Sequence, residues 1–308
     1  MEENQTTTPQ TTKPKKKKTL QNIVLVVTLL VALGLGGFFY YANQKRTQEN
    51  FQQQAETFSQ VTEKVNQLDI NYLTKKEGPQ TIEEMDEFIK KEKEELEEIK
   101  TTLDTLQAVQ SNNDNIKGGK LQSTQEKSQE IYSKLEENLK KYQDLAQYSS
   151  TGNQASRDLF EVILVYGRVK NLQKQGHPVA LQDWYDIFSA INYSTQETIT
   201  EMKEMKVPSS LENYHEDLTK KFEEIVNISQ KFMDHMEEAE YEAADIQVAA
   251  FEAKMGEISQ LKGTTEKAKP LEENLDNLQK ESEELASQLK TLKEELGTTV
   301  TITEVKEW

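Results

Sequence analysis

Apolar residues recur at alternating intervals of three and four over most of residues 51–296, the repeat of one buried helix face. The first run holds Phe51, Ala55, Phe58, Val61, Val65, Leu68 and Tyr72, and Gly78-Pro79 closes it. Thr81 with Glu84 reads as a capping box ahead of Ile82, Met85, Ile89, Leu96, Ile99, Leu103 and Leu106. Asn112 to Gly119 turns the chain, and Leu121, Ile131, Leu135, Leu139, Tyr142 and Leu145 mark a third helix. Short connections between long amphipathic helices make antiparallel neighbours, so residues 43–150 predict a three-helix, spectrin-like bundle.

Residues 151–263 predict a second bundle of four or five helices. Leu159 to Tyr166 (LFEVILVY) is almost wholly apolar, the mark of a helix buried on most sides, and it is expected to be the core helix. Gly176-His177-Pro178 separates it from an aromatic stretch with Trp184, Tyr185, Phe188 and Tyr193, which Ser194 and Glu197 divide if they act as a further capping box. After Val207-Pro208, Ser209 with Glu212 starts a long helix through Phe222, Ile225, Phe232 and Met236. A bend is expected between Glu237 and Ala244, with Asp245 capping a helix that carries Ile246, Phe251, Met255, Ile258 and Leu261.

Residues 264–297 have the cleanest repeat. Leu271, Leu275, Leu278, Ser282, Leu285, Leu289, Leu292 and Leu296 occupy alternating seam positions of a coiled coil, with Ser282 the one polar member. The seam needs a facing helix, from the same chain or from a second copy, and the pattern does not choose; the first outer helix has a seam of similar length. Gly297 ends this helix. The β-branched run Thr298 to Val305 suits an extended segment, so 298–308, ending in Trp308, is expected to be disordered or to add to a partner's sheet.

The other end of the chain breaks the pattern. Residues 1–19 are polar, with two prolines and five lysines, and read as a disordered cytoplasmic tail. Residues 20–42 carry no charge, and Ile23 to Ala42 is long enough to cross the roughly 30 Å hydrocarbon core. Phe38, Phe39, Tyr40 and Tyr41 sit where an interfacial belt lies. Five lysines before the span against Lys45 and Arg46 after it place the tail inside and the rest outside, as a single-pass protein of the cell membrane. Cleavage near Ala32-Leu33-Gly34 is the competing expectation; the apolar stretch outlasts a signal-peptide core of about 7–15 residues, which favours an uncleaved anchor.

Composition narrows function. The chain has 12 Gly and 6 Pro in 308 residues, about half the usual shares, consistent with an all-α fold of long helices. It has no Cys, which excludes thiol catalysis, disulfides and Cys-ligated metal. The net charge is -17; the tail carries +3 and the span none, leaving -20 on residues 43–308, which argues against nucleic acid as a partner.

No catalytic constellation emerges. Glu212 to His215 has the ExxH spacing of di-iron bundles, but neither His177 nor His235 has Glu three residues before it, so the second half of such a site is missing and no metal or other cofactor is expected. Pairs such as Glu94-Glu95 and Glu237-Glu238 read as solvated helix faces. No phosphate-binding loop, nucleophile elbow, zinc-protease helix or calcium loop occurs. Asp183, Trp184, Tyr185 and Asp186 form the one cluster suited to a ligand, with aspartates to orient a cationic or sugar-like group beside two aromatics; otherwise these aromatics seal the end of the second bundle.

Pro208 to His215 (PSSLENYH), opening a long helix, resembles segments of membrane-anchored extracytoplasmic helical proteins of low-GC Gram-positive bacteria. The resemblance covers about fifty residues, and no wall-sorting LPxTG signal accompanies it. It implies a membrane-held surface protein and nothing about a ligand. The expectation is therefore a non-enzymatic scaffold or interaction protein, held in lipid by its anchor and meeting a protein partner or itself through the coiled coil. The alternative is a ligand-binding or sensory ectodomain acting through a partner membrane protein.

Overall fold

The computed structural model describes residues 49, 52–53, 55–68, 72–74, 79–111, 119–261 and 263–306. Every regular element among them is helical: α1 over residues 55–67, then α2 (Ile82–Ser111), α3 (Gly119–Ala155), α4 (Arg157–Lys174), α5 (Leu181–Glu204), α6 (Glu212–Glu237), α7 (Tyr241–Ser259) and α8 (Thr264–Lys306). The tail at 1–19, the anchor expected at 20–42 and Trp308 lie outside the described residues. Among the described residues no helix is long and apolar enough to cross a membrane. The chain divides into two compact units, residues 55–292 and a smaller one of residues 1–54 with 293–308. Of the smaller unit, helical backbone is described at 49, 52–53 and 293–306.

Within residues 55–292, α1, α2, α3 and α8 run antiparallel in sequence-adjacent pairs, and α8 closes the set. Lys64 Nζ donates to Thr105 Oγ1 at 2.9 Å between α1 and α2, and Gln107 Nε2 donates to Glu136 Oε1 at 3.2 Å between α2 and α3. Gln279 Nε2 of α8 donates to the Val65 carbonyl at 2.8 Å, and Thr265 Oγ1 donates to the Leu73 carbonyl at 3.2 Å, so α8 descends as α1 ascends. Phe58, Val65, Leu106, Leu135, Leu139 and Leu275 fill the interior. The expected bundle of three helices thus has a fourth member. An α1–α2–α3 set alone leaves one apolar face open, and the leucine seam covers it.

The second group, α4 to α7, encloses a core of Tyr166, Trp184, Phe188, Ile191, Ile225, Phe232 and Phe251. Phe188 and Phe232 stack at 3.9 Å between centroids, while Phe251 meets Tyr166 edge-on at 5.0 Å. Asn192 Nδ2 donates to the Val226 carbonyl at 3.0 Å, fixing the depth of α5 against α6. α3 runs past the expected boundary at 150/151 to Ala155, whose carbonyl accepts from Thr198 Oγ1 at 3.1 Å. Both groups are therefore parts of the one compact unit.

Several expectations change in three dimensions. α4 is not the core helix: Leu159 and Tyr166 alone are buried, because α5, α6 and α7 offer it one face only. Ser194 does not break α5; Thr198 Oγ1 donates back to the Ser194 carbonyl at 2.8 Å, and the helix runs on. Ser209 does not cap α6, since Ser209–Leu211 forms a 3-10 turn without a side-chain cap. α7 begins at Tyr241 rather than after Asp245, which turns Ile246 outward at 66% exposure. Pro270 lies inside α8. The segment 298–306 is helical, not extended: its β-branched residues each cost only about 0.7 kcal/mol or less in a helix, whereas a lone strand pairs none of its backbone groups.

Candidate functional site

The four residues singled out for a ligand separate into different roles. Asp183 lies in the first turn of α5, where its Oδ2 accepts the Ala180 N–H at 3.1 Å and offsets the helix's positive end. Trp184, one position on, points inward and meets Tyr166 edge-on at 5.8 Å. Tyr185 is half-buried and donates its hydroxyl to Glu237 Oε1 at 2.7 Å; that bond, the first cause, raises its pKa. Asp186 is exposed and accepts from Gln182 Nε2 at 2.7 Å. Only Tyr185 lines the open groove beside it, about 330 Å³, with Leu181, Gln182, Met236, Glu237 and Tyr241. The helix period explains the division: neighbours at i and i+1 stand about 100° apart.

The leucine seam is occupied by the chain itself. Leu275, Leu278, Ser282, Leu285 and Leu289 are buried, and Leu271 and Leu292 are half-buried; the Leu296 side chain lies outside the described residues. Ser282 Oγ donates to the Leu278 carbonyl at 2.7 Å, so the polar member of the seam is satisfied within its own helix.

Buried polar groups appear where the sequence pattern offered only a gap. The apolar series of α2 steps from Ile89 to Leu96, and the missing member is Glu92, at 1% exposure. Its carboxylate accepts from Ser149 Oγ at 2.9 Å and from Asn153 Nδ2 at 3.1 Å, both on α3. Burial raises its pKa, and these two hydrogen bonds oppose the rise. The signal was present as a polar residue on the three-and-four repeat. Glu272 is likewise buried, accepting from Thr74 Oγ1 at 2.6 Å and from the Tyr142 hydroxyl at 3.3 Å.

His215 is not a ligand partner of Glu212. Its Nδ1 lies 3.1 Å from the Tyr148 hydroxyl, and burial lowers its pKa below the ordinary value, favouring neutral imidazole. The adjacent Tyr214 ring stands against Gly263 so closely that a Cβ there would overlap it, which accounts for glycine at the start of α8. Nothing in the sequence pairs Tyr148 with His215; they meet because α3 passes the turn before α6.

A second histidine group does converge. His235, Glu238 and Glu240 bring three potential ligand atoms within 4.8 Å of one another at the α6–α7 turn. The spacing test missed it because both carboxylates follow the histidine. His235 Nδ1 lies 2.8 Å from Glu240 Oε2. The turn is a Schellman motif: the Glu240 N–H donates to the His235 carbonyl at 2.8 Å and Ala239 N–H to Met236 carbonyl at 3.3 Å. Ala239 takes the left-handed position, at φ 61°. Both carboxylates are exposed, and the contact acts as a clasp on this turn. Comparison with protein-family models, with characterised proteins and with solved structures finds no match.

Proposed function

We propose that the chain is a membrane-anchored extracytoplasmic scaffold or interaction protein without catalytic activity. The observation that carries this reading is the use to which its polar and aromatic side chains are put. Glu92, Glu272, Tyr148, His215 and Trp184 each join one helix to another, and none of them lines the groove beside Tyr185. Such internal cross-links support a rigid body that presents surfaces. The uncharged stretch at 20–42 and the lysines before it support an anchor with the helices outside. The likeness of PSSLENYH to surface proteins of Gram-positive bacteria points the same way.

Protease added to intact cells, or to wall-stripped protoplasts, tests the arrangement. The expected result is degradation beyond Ala42 with the lysine-rich tail preserved; a digested tail with protected helices reverses the topology and removes the proposal's extracytoplasmic half. Retention of a small molecule by the purified chain, lost on Tyr185→Ala, would instead favour the ligand-binding ectodomain, for which the groove of Leu181, Tyr185, Met236 and Tyr241 supplies the walls.

A further inference from the structure

The sequence of α4 is that of a helix covered on two sides, yet part of its outer side stays open: α5 packs on its core side, while α2 and α3 touch it and Asp86 of α2 holds Arg157. Val162, Ile163 and Val169 pack on the core of the second group together with Leu159 and Tyr166. On the other side, Phe160 and Leu164 are half-buried, Val165 is 41% exposed and Leu172 is 46% exposed. None of these four belongs to that core. At about 100° per residue they form two apolar edges, Phe160 with Leu164 and Val165 with Leu172, flanking a central line of Arg157, Glu161 and Arg168.

The charges along that line say what covers it. Arg157 is committed to Asp86, Asp158 and Glu161. Arg168 is exposed and makes no ion pair with any described residue. It follows Glu161 by two turns on the same face. An antiparallel copy of α4 centred between Leu164 and Val165 places Glu161 opposite the partner's Arg168 and Arg168 opposite the partner's Glu161. The same two-fold operation sets Val165 beside the partner's Val165 on one edge and Leu164 beside the partner's Leu164 on the other, as an isologous contact requires. An anionic lipid surface fits less well, because it would set the exposed carboxylates Asp158 and Glu161 against like charge.

We infer that α4 is a self-association surface, pairing antiparallel with α4 of a second copy through Leu164, Val165 and reciprocal Glu161–Arg168 contacts. The inference rests on the interaction-protein reading and names its partner. It also moves self-association away from the leucine seam, which α1 and α3 already fill. The pairing is modest in size: the helix has 18 residues, about 27 Å in length, and one helix pair buries an area at the low end of specific interfaces. The charges accordingly set register more than strength.

The chain has no Cys, so single substitutions report the contact in full-length protein in its own cells. A short, membrane-permeant bis-maleimide should join two copies of Val165→Cys, which lies at the two-fold axis. Leu172→Cys, on the same face but about 22 Å from its own counterpart along an antiparallel pair, should crosslink at least tenfold less. Glu161→Arg or Arg168→Glu in the Val165→Cys background should reduce the product at least fivefold, and the two together should restore it. Equal crosslinking at 165 and 172, no product at 165, or failure of the double reversal to restore it would each overturn the inference. Helical circular dichroism of each variant separates these outcomes from misfolding. Protease topology does not depend on any of them, so failure here and failure of the anchored-scaffold reading are told apart.

Discussion

Leu285→Ala tests whether the leucine seam belongs to the fold or to an interface between copies. Leu285 sits mid-seam in α8 at 3% exposure, beside the α3 residues Lys127, Glu130 and Ile131. Gln279 and Glu283, six and two residues earlier, bond to Val65 and Asn66 of α1. Removing a leucine side chain so enclosed loses its transfer free energy and leaves a cavity, together about 3 kcal/mol. For a unit of this size each kcal/mol lowers the melting temperature by about 2–4 °C, so the variant should melt roughly 6–12 °C below wild type. Because the partner helices lie in the same chain, the difference between variant and wild type should stay the same when both are diluted tenfold at low-micromolar concentration, whatever α4 pairing does to each. Scanning calorimetry at two concentrations reads both quantities. A difference that changes on dilution, or a variant within about 2 °C of wild type, would show that the seam is not closed within the chain.

Two further outcomes follow from the buried carboxylate and the turn. Burial raises the folded-state pKa of Glu92 above its unfolded value, so its contribution favours the fold at acid pH and is lost as pH rises through the folded pKa; the melting temperature of Glu92→Gln relative to wild type should therefore rise with pH until the folded-state carboxylate has ionised and then level off, and a constant difference would refute the assignment. Ala239 holds φ 61° in a position that costs a non-glycine residue roughly 1–2 kcal/mol, against an unfolded-state cost of glycine of about 0.4–1 kcal/mol, so Ala239→Gly should stabilise the protein by about 0.5–1 kcal/mol in urea unfolding; a loss of stability would mean that the turn is not strained.

What could be read from the sequence is what depends on local periodicity. The three-and-four spacing is a property of a single helix, so the seam members Leu275, Leu278, Leu285 and Leu289 were legible, as was the capping role of Thr81, whose Oγ1 accepts the Glu84 N–H at 3.1 Å. Glu92 was visible only as a polar residue on an apolar repeat, and the Asp183–Asp186 cluster was legible as chemistry but not as geometry.

The sequence by itself determined that the chain is helical, where most helices begin and which face of each is apolar, because these follow from backbone hydrogen bonding and side-chain period within one segment. Only the tertiary structure decided which faces meet. Helix partners are chosen by the fit of surfaces far apart in the chain, and an apolar stripe carries no mark of whether α1, α3 or a second copy will cover it. That choice closed the α8 seam with α1 and α3, brought Tyr148 to His215, and left Val165 and Leu172 of α4 in solvent.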